Sequence, residues 1–501
     1  MKKYCHNVRL LNLISGIAMQ GFTAISGLIL PNLILRTYGS VLNGLLSIIT
    51  QLMSYLSIVE MGIASASLVS LYKPMAEKDY YRASAIFSAV NKFYQRIAVI
   101  FTIGSIGCGF IAMFINKDDI STANIWFITA SLAGTNFISY WLLNKYKVLL
   151  QSDDKLFIVH SAHIIGIILQ FLFSLFVIRW NANISLVKAV VILTNLVEWF
   201  LLLSYKKTHL SGVTLREKPA FDSIHQRNDI LIHQVLYLVL NHTDVLLLTV
   251  FSPSLIYVSI YSIYNMVMTL IHNLANAVIG MFSSRMGQTY SVGDIKAVRA
   301  ILKKYEIIYN IALFSLYLSM AILIMPFITI YTKGIKDADY YLPLVGLLFS
   351  IYGIIRMFRS PYSELISSAG HFKETKNQAV IEVLINLIVS IALLPSMGIP
   401  GVLLGSIAGE VYRTIHTYIY CYKKLLVFDW FRSLIFAVIN IGVFVVIYNI
   451  THNIQSKSIQ SYAEFFILAI IVFTGNFVFI FVLNYFSLSI YRIYENHGRN
   501  K

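Results

Sequence analysis

The chain has 501 residues, 57% of them hydrophobic and only 12% charged, with a mean hydropathy of +0.72. A soluble chain of this length carries about 25% charged residues, and apolar runs of membrane-spanning length recur from end to end, which excludes a soluble globular protein. The runs are continuous rather than alternating, which excludes a β-barrel.

About fourteen transmembrane helices are predicted, at 11–35, 41–70, 96–116, 122–144, 156–178, 184–204, 231–252, 255–280, 305–331, 341–368, 378–394, 399–421, 433–450 and 463–486. The expected fold class is therefore all-α and polytopic. The first run is too long for the core of a signal peptide and has no persuasive cleavage site after it, so it is expected to be retained. With the N-terminus in the cytoplasm, both ends and the even-numbered loops lie inside, together with most of the 39 Lys and Arg. Reversing the orientation reverses that bias. The net charge of +16 thus reads as topology and contact with anionic lipid, and no nucleic-acid partner is expected.

The first two spans frame the stretch Arg36–Asp79, RTYGSVLNGLLSIITQLMSYLSIVEMGIASASLVSLYKPMAEKD. A polar turn at Tyr38-Gly39-Ser40 opens it, an apolar run follows, and a charged, proline-broken loop closes it. Arg36 stands where the first span leaves the membrane, placed to anchor at the outer headgroups or to meet an anion. Glu60 is the single acid of the apolar run. At ~1.5 Å per residue it lies roughly 18 Å from Tyr72, near mid-membrane. An ionised carboxylate facing lipid there is expensive, so it must be protonated, paired or turned to a wet cavity.

The long loops after the second and eighth spans read LYKPMAEKDYYRASAIFSAVNKFY and SSRMGQTYSVGDIKAVRAILKKYEIIY. Aligning Asp79 with Asp294 brings a basic amphipathic helical turn into register in both, ending at Phe93-Tyr94 and Ile308-Tyr309. Six spans and then six more in the same rhythm imply two halves of like orientation, related by an axis along the membrane normal. They cover 1–204 and 231–421, with a polar cytoplasmic linker at 205–230 and two additional helices and a tail at 422–501.

In the seventh span Asp244, within NHTDVLLL, is another isolated acid. The tenth carries Arg356 and Arg359, three apart and so on one face, followed by Pro361, which bends the helix, and Glu364. Guanidinium forks match phosphate oxygens. Two readings stay open for the pair, anion binding and pairing with Glu364, Glu382 or another acid, and the two can alternate during a cycle. The twelfth span, GIPGVLLGSIAGEVYRTIHTY, places Gly401, Gly405 and Gly409 on one strip suited to close helix packing. Glu410 and Arg413, again three apart, are expected to neutralise each other. Glu60, Asp244, Glu382 and Glu410 are the candidates for ion coupling, by proton or sodium, or for gating. His160, His163, His233, His242, His272 and His416 receive no role.

There is no GxxxxGK[ST] phosphate loop, so no ATP engine is built in, and neither HExxH nor GxSxG occurs. Asp337-Ala-Asp339 has the spacing of a metal-holding DxD but sits in a short loop without support, and Cys5, Cys108 and Cys421 stand at no metal-ligand spacing. No metal, cofactor or catalytic residue is expected. The external loops are too short to build a catalytic domain for glycan polymerisation or ligation.

The YGSxxNG opening at Tyr38, SIVEMGI at mid-helix and the LYKPMAEKD ending at Asp79 resemble the Wzx-type polysaccharide flippases of the multidrug/oligosaccharidyl-lipid/polysaccharide exporter superfamily. The resemblance extends diffusely along the chain, including TDVLLLTVFSPSLIYVSIYSIYNM. It implies a V-shaped pair of six-helix lobes in a bacterial inner membrane, moving undecaprenyl-diphosphate-linked oligosaccharides to the outer leaflet through a cationic cavity. A polysaccharide polymerase and glycosyltransferases would be its partners. Arg36, Arg356, Arg359 and Arg413 are the candidates for the positive charge, by their depth and charge in this chain. The alternative within the same superfamily is a cation-coupled multidrug exporter.

Overall fold

The computed structural model describes residues 2–499 except 117, 119, 181, 225–227, 292, 426–429, 456–458 and 460. Among the described residues the ordered structure is helical, with no strand, and nine helices are long and apolar enough to cross a bilayer. This is the polytopic all-α fold expected, because only a helix satisfies its own backbone groups within hydrocarbon. Large apolar side chains such as Ile103, Phe173, Ile388 and Ile470 point outward, as lipid contact requires. The chain divides into two compact units, Met1–Ser259 and Ile260–Lys501.

In the first unit α1 (Lys2–Leu56) runs through the first predicted span and most of the second, bending only at Gly39 (φ 83°, ψ 173°). A side chain would be strained at that φ, so glycine permits the bend. The second predicted span is not one helix. It breaks after Leu56 into a 3-10 turn, Ser57–Val59, passes Gly62 in the left-handed region (φ 84°) and resumes as α2 (Ile63–Glu77). Glu60 therefore sits in a helix break and not on a continuous helix face. The fourth span is also interrupted: α4 (Thr122–Ile138) and α5 (Asn144–Ser152) are joined by a π turn, Ser139–Leu143. Between these lies α3 (Tyr80–Phe114), and α6 (Leu156–Arg179), α7 (Ile184–His209) and α8 (Asn228–Phe251) complete the unit.

Loop contacts tie these helices together at their ends. Asn12 on α1 donates to the Asp154 carboxylate and accepts from the Phe157 amide, at 3.1 and 2.8 Å. Asp118 accepts from Ser254 and from the Leu255 amide at 2.7 and 2.8 Å, just before α9 begins. The polar linker after α7 lies along α3: Thr214 N–H donates to Ser84 Oγ, Ala220 N–H to the Ala85 carbonyl, and Phe221 packs edge-on against Phe93.

The second unit contains most of α9 (Ile256–Ser291), then α10 (Ile295–Tyr331), α11 (Pro343–Phe358), α12 (Ser360–Ser368), α13 (Phe372–Met397), α14 (Ile399–Tyr420), α15 (Trp430–Gln455) and α16 (Tyr462–Arg499). The last two pack on α10, where Asn476 donates to Ser319 at 3.0 Å, and Asn440 and Asn484 exchange amide hydrogen bonds.

The two loops aligned in the sequence also match in the backbone at their helix caps. Asp79 and Asp294 cap α3 and α10 with near-identical dihedrals (φ −77°, ψ 80° and φ −81°, ψ 81°), each accepting from the amide three residues on. Each follows a left-handed residue, Lys78 or Gly293. Tyr80 to Ile295 and Ile184 to Ile399 are both 215 residues, so α3 matches α10 and α7 matches α14 without insertion.

Candidate functional site

The α13–α14 hairpin is the scaffold of the site. Only Gly398 joins the two helices, at φ 63° and ψ −132°. A Cβ at Gly401 would meet the Leu393 carbonyl at 2.6 Å, one at Gly409 the Glu382 carbonyl at 2.8 Å, and one at Gly405 would strike Ser390. The glycine strip therefore lets α14 lie against the backbone of α13, as small-residue strips do in membranes. That close approach fixes Glu382 on α13 beside Glu410 and Arg413 on α14. The third wall is the tenth predicted span, broken into α11 and α12 at Arg359 by the Pro361 that follows.

Five charges line up between these helices in alternating sign, Arg356, Glu382 and Glu410 buried and Arg359 and Arg413 half-buried. Arg356 Nε lies 3.6 Å from Glu410; Glu410 also takes Arg359; Arg359 reaches Glu382 at 3.4 Å; and Glu382 meets Arg413 at 3.6 Å. Arg356 is further held by the Tyr352 hydroxyl at 2.8 Å, and Arg413 donates to the Thr375 carbonyl at 3.0 Å. The guanidinium side chains are 8, 17 and 13% exposed and the carboxylates 3 to 4%. The acid between Arg356 and Arg359 is what makes their proximity tolerable. Glu410 and Arg413 reach across to other helices instead of simply closing on each other along α14, because the hairpin brings Glu382 within range of Arg413.

The cluster thus sets three guanidiniums against two carboxylates among the described residues, one positive charge in excess. Low dielectric strengthens each pair, and removing one partner from such a chain strands the other. Arginine forks are the side-chain groups best shaped to exchange a carboxylate for a phosphate.

The first unit carries its own polar chain. Glu60, in the helix break, accepts from Asn144 at 3.3 Å and from the hydroxyls of Tyr94 and Tyr140. Tyr140 lies in the π turn, which shifts the register of the fourth span and turns this side chain inward; such turns recur at functional sites. Next to it Lys145 donates to Asn91 at 2.6 Å, and Lys147 forms a 2.9 Å ion pair with Glu198 on α7, whose other oxygen faces His163 at 3.2 Å. Glu198 is 2% exposed. The signal that singles out Glu60 and Asp244, a lone acid in an apolar run, applies equally to Glu198, whose partners Lys147 and His163 the spacing does not reveal. Tyr94 and Tyr140 had no sequence signal, being two of 32 tyrosines.

The remaining candidates stand elsewhere. Asp244 is buried on α8, which packs along α1, with Tyr55 nearby. Arg36 is exposed on α1, three residues before the Gly39 bend. The structure gathers Arg356, Arg359, Arg413, Glu382 and Glu410 into one cluster in the second unit, while Arg36, Glu60 and Asp244 belong to the first.

Among solved structures, the lipid II flippase MurJ in an inward closed conformation superposes with a TM-score of 0.69 at 14% identity, over 96% of this chain and 99% of MurJ. An inward-facing multidrug resistance MATE family transporter of the MOP superfamily gives 0.67 at 10% identity, over 82% and 98%. The eukaryotic MATE transporter AtDTX14 gives 0.57 at 12% identity, over 84% and 98%. The chain shares the fold of these transporters. No protein-family model matches the sequence, and neither does any curated protein.

Proposed function

We propose that the chain is a flippase that carries undecaprenyl-diphosphate-linked oligosaccharide units from the inner to the outer leaflet of a bacterial cell membrane by alternating access. The observation that carries this reading is the chain of three guanidiniums, one buried and two half-buried, and two buried carboxylates along α11–α14, with one positive charge in excess. A diphosphate is the part of such a substrate that hydrocarbon rejects most strongly, and guanidinium forks are its natural receptors. No bond is made or broken. During the cycle the arginines exchange their carboxylates for phosphoryl oxygens, which joins the two sequence readings of Arg356 and Arg359. Glu60 and Asp244 are then the ion-coupling candidates of the first unit, and both termini lie in the cytoplasm.

Two observations favour this over a multidrug exporter. Guanidiniums repel the cationic drugs such an exporter would carry. The MurJ match also covers 96% of the chain against 82 to 85% for the MATE transporters, a difference comparable to the 26 and 38 residues of α15 and α16. The test is deletion of the gene, followed by measurement of which leaflet accumulates the lipid-linked glycan. Unchanged appearance outside refutes the reading. Arg356→Ala and Arg359→Ala should each abolish export while the protein still inserts, and full export in both would move the diphosphate site elsewhere.

A further inference from the structure

The order of charges, Arg356–Glu410–Arg359–Glu382–Arg413, has a pattern that simple neutralisation does not require. Glu410 sits between the first two guanidiniums and Glu382 between the last two, so Arg359 is shared by both carboxylates. A diphosphate substituted at both ends presents the same pattern: two phosphoryl groups of one negative charge each, joined at a bridge that a central guanidinium can serve from both sides. We propose that Glu382 and Glu410 are displaceable counter-anions occupying the places of the two phosphoryl groups, and that the diphosphate enters together with one proton taken up by this carboxylate pair. The inference rests on the cluster being the diphosphate site.

The proton follows from charge balance. Three guanidiniums and two carboxylates leave one positive charge; a diphosphate diester adds two negative charges, leaving one negative charge in a buried site. An unbalanced charge there is costly, and one proton from water on a displaced carboxylate restores neutrality. Among the described residues, these titratable groups face the cluster. Tyr352 on α11 accepts from Arg356, Tyr317 on α10 and His272 on α9 lie in its field, and Tyr412 and His416 flank Arg413 on α14. His272, whose field includes both Arg356 and Glu410, is the rival proton acceptor.

The experiment uses the full chain in nanodiscs of neutral lipid, with geranyl-diphosphoryl-glucose as probe, because both its phosphoryl groups stay singly ionised between about pH 5.5 and 8.5. Calorimetry in two buffers of different ionisation enthalpy counts protons directly. The wild type should take up one proton per probe and bind up to about tenfold more tightly per unit fall in pH. Glu382→Gln and Glu410→Gln should bind at least as tightly at high pH and lose most of the pH dependence and proton uptake. No binding by the wild type overturns the diphosphate reading itself. Binding with no proton uptake overturns only the present inference, and so does weakened binding in both glutamine variants. Proton uptake that survives in them and vanishes in His272→Gln has the same consequence. The wild-type proton count decides the matter even where a glutamine variant fails to fold.

Discussion

The α13–α14 contact makes Gly409→Ala an informative perturbation. The new Cβ would stand 2.8 Å from the Glu382 carbonyl oxygen and 3.3 Å from Asn386 Cβ, where ordinary contact begins at 3.4 Å. Backbone on both sides leaves no flexible side chain to give way, so the helices must part by about 0.6 Å, an overpacking cost of about 1–3 kcal/mol. The Glu382–Arg413 ion pair, at 3.6 Å, then stretches beyond 4 Å, and the charge chain opens at one end. Gly475→Ala on α16 is the control, since a Cβ there meets nothing within 4 Å. It carries the same gain in helix propensity, about 1 kcal/mol, without the steric cost. Apparent melting temperatures of both variants in detergent, measured beside the wild type, isolate the contact. Gly409→Ala should melt well below the wild type and Gly475→Ala at or above it. Equal melting of the two variants would refute the claim that the glycine strip seats the charge cluster.

Further outcomes follow from other parts of the molecule. Asp79→Ala and Asp294→Ala should each cost about 1 kcal/mol, with faster hydrogen exchange at the amides of Arg82 and Ala297 that these caps hold; protection unchanged at either amide would mean the cap is not formed. Glu198→Gln leaves Lys147 facing a neutral amide and should lower stability by about 1–3 kcal/mol, much of it recovered in the double variant with Lys147→Met, and a melting curve indistinguishable from wild type would show the pair to be inert. Asn484→Leu removes the amide pair with Asn440 between α15 and α16 and should cost about 1 kcal/mol, read as a lower melting temperature with export retained; no shift would mean that this amide pair does not hold the last two helices.

The sequence made the spans and the two matching caps legible because both depend on local composition. Hydrocarbon thickness sets the run length, and the Asp79 and Asp294 caps stand at the same point of each half. Pro361 announced the break at Arg359 for the same reason. The break around Glu60 was less visible: Gly62 is a weak signal among 26 glycines, and the run stays apolar on both sides of it. The π turn at Ser139–Leu143 left no mark, since an extra residue in a helix changes register without changing composition. Partner choice was the hardest. Arg413 and Glu410 share a helix and invite pairing at three residues, yet a glycine strip on α14 brings Glu382 of α13 into reach, a fact of tertiary packing that spacing along one helix does not express.

The charge chain is an expensive way to join four helices. Apolar side chains of similar volume fill such an interface at equal or better stability, and the glycine strip already lets α14 lie against α13. The residue types argue further. Lysine would supply the charge, but the planar guanidinium holds separate donors in a fixed fork, and Arg359 turns one terminal nitrogen to Glu410 and the other to Glu382. An even set of charges would close on itself. Five charges ending in guanidinium at both ends cannot, and the surplus gives an arriving anion something to find before either carboxylate has moved. On the flippase reading proposed above, such an arrangement suits a carrier, which must bind a polar headgroup on one side of a membrane and release it on the other.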